Sequence, residues 1–77
     1  MRIVDTLPHP DFRIVLYATE THFLVEIEAG PMRQSYRYSK ERFGDLGTVK
    51  ATITPEWLES VRQNFNGMYV DWKKTWE

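Results

Sequence analysis

The sequence predicts an α+β fold: a three- or four-stranded antiparallel meander packed on one face by a long C-terminal amphipathic helix, βββα or ββββα. Three observations predict it. Runs between residues 11 and 38 alternate apolar and polar side chains with period two, the pattern of strands that bury one face. The breaks between those runs, Thr19-Glu20-Thr21 and Gly30-Pro31, are short enough to be hairpin turns. From residue 55 onward the apolar residues recur with helical period.

Arg2 to Leu7 reads as a short first strand, stopped by Pro8 and Pro10 because proline has no ladder donor. Asp11 to Ala18 sets Phe12, Ile14, Leu16 and Ala18 against Arg13, Val15 and Tyr17. His22 to Ala29 sets Phe23, Val25, Ile27 and Ala29 against His22, Leu24, Glu26 and Glu28. Met32 to Tyr38 sets Met32, Gln34, Tyr36 and Tyr38 against Arg33, Ser35 and Arg37. The sheet is therefore expected over about residues 2–38. Residues 39–53, with Phe43-Gly44-Asp45-Leu46-Gly47 at their centre, read as an irregular connection.

The last third carries the clearest signal. Thr54 is an N-cap and Pro55 takes the first helical position, where a missing N–H costs nothing. Glu56 and Glu59 suit the positive end of the helix dipole; Lys73 and Lys74 suit the negative end. Trp57, Leu58, Val61, Phe65, Met68, Tyr69, Trp72 and Trp76 share an arc of roughly 120° at 100° per residue. The stripe keeps its phase past Gly67, so one helix is expected from Pro55 to about Trp76. The expected core is Phe12, Ile14, Leu16, Phe23, Val25, Ile27, Tyr36, Tyr38, Leu58, Val61 and Phe65.

The lengths do not match. About 22 helical residues span roughly 33 Å, whereas six-residue strands run only about 20 Å. The overhanging turns carry Trp72 and Trp76. Either the N-terminal segment folds beneath them, or they are exposed and mark an interface.

Composition narrows the function. Residues 1–77 fit one small domain, and a chain this short has a thin stability margin. Such domains are commonly reinforced by disulfides, a metal or a second copy. No cysteine is present, which removes disulfides and thiolate metal sites. A homo-oligomer, or another protein as partner, is therefore the expected reinforcement. A net charge of −1 argues against a general nucleic-acid binder. No apolar run reaches the ~20 residues of a membrane span and the N-terminus shows no signal region, so no membrane association and a cytoplasmic setting are expected.

Candidate chemistry is sparse. His9 and Asp11, near Asp5 and His22, form the one group that could hold a metal or an anion. The plainer reading is a proline-fixed turn with Asp11 capping the next strand and His9 solvated. No catalytic motif and no cofactor signature is present, and the expectation is a non-enzyme. Arg33 to Arg42 is basic and aromatic, as single-stranded nucleic-acid sites are. Strand alternation nevertheless puts Tyr36 and Tyr38 on the core face and Arg33 and Arg37 on the other, where they oppose Glu26 and Glu28. Two candidate interfaces remain. One is the helix end with Met68, Tyr69, Trp72 and Trp76; the other is the outer sheet face with Val15, Tyr17 and Leu24. The expected function is a small non-catalytic interaction module that forms a homodimer. The alternatives are metal or anion binding at the His9/Asp11 turn and weak nucleic-acid binding at Arg33–Arg42.

Overall fold

The computed structural model describes residues 1–76. Four strands, β1 (Arg2–Leu7), β2 (Arg13–Ala18), β3 (His22–Ala29) and β4 (Met32–Ser39), precede three helices, α1 (Lys40–Phe43), α2 (Leu46–Ala51) and α3 (Pro55–Lys74). The strands pair antiparallel in sequence order, β1-β2-β3-β4, and α3 covers one face: a ββββα arrangement.

The turns follow from their residues. β3 and β4 close on the pair Ala29–Met32, leaving Gly30 and Pro31 as a two-residue connection. Gly30 has φ +60°, which such a hairpin asks of its first central residue and which glycine adopts without strain. Between β2 and β3 the Thr19 hydroxyl accepts from the backbone N–H groups of Thr21 and His22, at 3.3 and 3.0 Å.

β1 carries an irregularity between Ile3 and Asp5. Ile3 stands opposite Tyr17 on the outer face, while Asp5 stands opposite Leu16 on the helix side. A bulge at Val4 supplies the extra residue that reverses the alternation. Asp5 is thereby aimed at α2, where Lys50 Nζ donates to its carboxylate at 2.5 Å.

The connection expected to be irregular is largely helical. α1 ends at Gly44, whose φ of +76° stops it. α2 is capped by Asp45, whose Oδ1 accepts from the N–H and hydroxyl of Thr48 at 2.9 Å. Its Val49 is completely buried. The second strand starts at Arg13 rather than Asp11. α3 runs unbroken through Gly67 but closes at Lys74 with Thr75 as C-cap, so Trp76 lies in the terminal turn rather than in the helix.

Phe12, Ile14, Leu16, Phe23, Val25, Ile27, Val61 and Phe65 form the buried core, joined by Ala18 and Val49. Tyr36, Tyr38 and Leu58, expected inside it, are half-buried at its margin. The two tyrosines stand edge-on to Trp57 (5.2 Å) and Phe43 (5.0 Å). The Tyr36 hydroxyl donates to Gln34 Oε1, so the polar end of this half-buried ring has a partner.

Candidate functional site

The course of α3 over the sheet can be traced from its contacts. Thr54 Oγ1 accepts from Trp57 N at 3.1 Å and caps the helix. Trp57 meets Tyr36, the Gln34 side chain donates to the Val61 carbonyl at 3.0 Å, and Phe65 packs on Phe12 at 5.5 Å. The helix therefore moves from the middle of β4 to the start of β2, towards the sheet end that carries the Gly30–Pro31 turn. Met68 is the last α3 residue packed against the core.

Beyond Met68 the stripe continues, and none of the described residues past it packs against the core. Tyr69, Trp72 and Trp76 are 46%, 41% and 57% exposed. Their rings touch one another, 5.8 Å from Tyr69 to Trp72 and 5.5 Å from Trp72 to Trp76, and make an aromatic ridge. The six residues Tyr69–Lys74 carry the helix about 9 Å past the last anchor, and Trp76 follows in the terminal turn. The overhang lengthens the molecule to 44 × 24 × 20 Å. β1 does not fold back beneath it: Ile3 lies on the outer face, and both Met1 and Ile3 are largely exposed.

The outer sheet face is the second candidate. Ile3, Tyr17, Leu24 and Arg37 form one cross-strand row; Thr6, Val15, Glu26 and Ser35 form the next. Val15, expected to be available to a partner, is only 4% exposed. It sits mid-face between Thr6 and Glu26 in register, with Arg13 and Tyr17 two residues away on its own strand, and long neighbours of this kind shield a small side chain. Tyr17 and Leu24 are half-buried. Arg33 ties the charged side of this face together, 3.0 Å from Glu28 and 3.9 Å from Glu26.

The His9/Asp11 turn is organised inwardly. His9 Nδ1 accepts from the backbone N–H groups of Asp11 and Phe12 at 3.1 and 3.2 Å. Its ring stacks on Phe12 at 4.8 Å and 11°. Arg62 of α3 donates to Asp11 at 2.6 Å and also lies 5.1 Å from the Phe12 ring centre. That hydrogen bond, with the guanidinium charge, holds the Asp11 carboxyl below its ordinary range and raises Arg62. His9 is thus a backbone cap rather than a freely solvated group, and Asp11 pins the loop to α3. A 180 Å³ cleft lies between His9, Pro55, Leu58, Glu59 and Arg62. Asp5 and His22 do not join this group: Asp5 pairs with Lys50, and His22 Nδ1 bonds the Thr21 hydroxyl at 2.8 Å. Among the described residues no three His, Asp or Glu side chains are placed to share a metal ion.

A second cleft, about 350 Å³, opens at the other end of the sheet between Met1, Arg2, Ala18, Thr19, Glu20 and Lys40. The sequence carries no mark of it, because β1, β2 and α1 each contribute a single residue, Arg2, Ala18 and Lys40. In the basic stretch Tyr36 and Tyr38 pack on the helix side, and Arg33 and Arg37 lie on the opposite face. Among the described residues no helix is long and apolar enough to cross a membrane. Comparison with protein families, with curated proteins and with solved structures gives no match to this chain.

Proposed function

We propose that this chain is a small non-catalytic protein-interaction module that works as a homodimer, assembled through the C-terminal end of α3. One observation carries the reading: the apolar stripe that anchors α3 runs on past its last core contact to the helix end and into the terminal turn, and carries three exposed aromatic rings. Clustered exposed aromatics are a feature of interaction surfaces, and aromatic anchors dominate interface energetics. A chain of 77 residues without cysteine gains most from a second copy. Its lack of cysteine suits a reducing cytosol. The polar groups of the His9/Asp11 turn are taken up by backbone N–H groups and by Arg62, which favours a structural role for that turn over ligand binding.

The test is solution mass by light scattering across a hundredfold concentration range, reaching several hundred micromolar. Mass should rise towards twice the 9.2 kDa of one chain. The Trp72→Ser/Trp76→Ser variant should remain monomeric at every concentration with the sheet intact by circular dichroism. A variant that associates like the parent removes the helix end from the interface.

A further inference from the structure

We infer that the partner of the exposed helix end is the same helix end of a second copy, lying antiparallel to it, with the two-fold axis passing beside Trp72. This rests on the homodimer reading above and specifies its geometry.

The room beneath the overhang sets the arrangement. The ridge of Met68, Tyr69, Trp72 and Trp76 faces the side of α3 on which the sheet lies, because it continues the stripe of Leu58, Val61 and Phe65. Packed layers of secondary structure lie about 10 Å apart, two sheets at about 10 Å and two helices at about 8–10 Å. A partner helix under the overhang therefore occupies the level of the sheet, just beyond the sheet's end. In a parallel pair the partner's N-terminal half would run into the strands. In an antiparallel pair it leads away from them, and only the overhangs overlap. The sheet end sets the register, because the partner's C-terminal turn can advance no further than the first residue past the anchored Met68. Overlaying Tyr69–Trp76 on its own reversed copy centres the contact between residues 72 and 73. The interface is isologous and closes at two copies.

The area places the contact in a size class. Three aromatic side chains of about 150–250 Å² each, roughly half exposed, bring about 300 Å² per copy. Adding Met68 and the stems of Asp71, Lys73 and Thr75 takes the pair to roughly 1,000 Å² in total, at the low end of specific interfaces. An interface of this size belongs to the weak, transient class, so association should be reversible and follow protein concentration.

The cysteine-free chain allows the geometry to be read with single introduced thiols. Asp71 sits beside the axis on the flank of the ridge; its pairing with Lys74 is loose, at 3.8 Å between exposed groups, so Asp71→Cys leaves the fold intact. Two copies of that residue lie about 10 Å apart across an antiparallel pair. Glu56 lies between 16 and 17 residues from the axis, about 25 Å along the helix, so two copies lie about 50 Å apart. At several hundred micromolar, Asp71→Cys should be joined by a bismaleimide of that reach, and the product should fall at least tenfold on a hundredfold dilution. Spin labels on Glu56→Cys should report a distance near 50 Å. A Glu56 distance under about 25 Å means a parallel pair and overturns the inference. Cross-linking at Tyr17→Cys with none at Asp71→Cys places the contact on the outer sheet face; it overturns the inference while leaving a homodimer standing. A mass that stays at 9.2 kDa throughout overturns both.

Discussion

Phe65 and Trp72 occupy the same stripe of α3, seven residues apart, and a pair of alanine substitutions separates anchored helix from overhang. Phe65 is 4% exposed and packs on Phe12. Phe65→Ala leaves a cavity between α3 and β2 and should cost about 3–5 kcal/mol. A chain of this length has a total stability of about 4–12 kcal/mol, at 0.05–0.15 kcal/mol per residue, so the variant is close to unfolding. Each kcal/mol moves the midpoint by about 4–8 °C in a domain of this size, and Phe65→Ala should melt at least about 12 °C lower. Among the described residues Trp72 meets the rings of Tyr69 and Trp76, both on its own overhang. Trp72→Ala then loses side-chain pairs along the helix, worth about 0.5–1.5 kcal/mol, and no core contact. The assay is thermal unfolding by far-UV circular dichroism at a few micromolar protein, below the association range. Losses of similar size at the two positions would refute the reasoning, because they would mean that the helix end packs on its own sheet.

Other outcomes follow from single residues. Gly67 sits inside α3 with open space where a Cβ would project, so Gly67→Ala should raise stability by about 0.5–1 kcal/mol in a denaturant titration; a loss would show that glycine is needed there. Val49→Ala should destabilise by about 2 kcal/mol through two lost buried carbons and the space they leave, whereas a surface loop would yield nothing measurable. Asp11 is held below its ordinary value of 3.8 by the hydrogen bond and charge of Arg62. Its pairing contributes stability that is complete above that ordinary value and is lost as pH falls through the lower folded one. Stability of the parent should therefore fall in acid more steeply than that of Asp11→Asn, and an Asp11 carboxyl titrating at or above 3.8 by NMR would show the ion pair absent in solution.

Much of the fold is legible because its signals are local. Phe23, Val25 and Ile27 alternate cleanly with Leu24 and Glu26, and the strand lies where the alternation is. Thr54-Pro55 marks the start of α3 to the residue. Residues 40–51 were obscured because Gly44 and Gly47 weaken the helical signal. The information was nevertheless present: Asp45 lies three residues before Thr48, and Leu46, Val49 and Ile53 recur at three and four residues. The placement of Asp5 beside Lys50 is illegible for a different reason. Strand parity counts residues, and a bulge at Val4 changes the count without a mark in composition. At the candidate site, overhang could be inferred from two lengths, 1.5 Å per helical residue against the reach of the strands. The shielding of Val15 could not, since it depends on how the side chains around it, on its own strand and on those beside it, lie over the sheet.

The strictly sequential order of the strands bears on how the chain reaches this structure. Each strand pairs with the one before it through a connection of two to five residues, so the sheet can assemble as three successive local closures of small entropic cost. Closure between distant parts of the chain is confined to the docking of α2 and α3, where Lys50 finds Asp5 and Arg62 finds Asp11. Folding should thus be fast, and the exchange of backbone amides should be graded: slow in β2 and β3 and in α3 around Val61 and Phe65, and rapid along Tyr69–Lys74, whose protection would grow only as protein concentration rises.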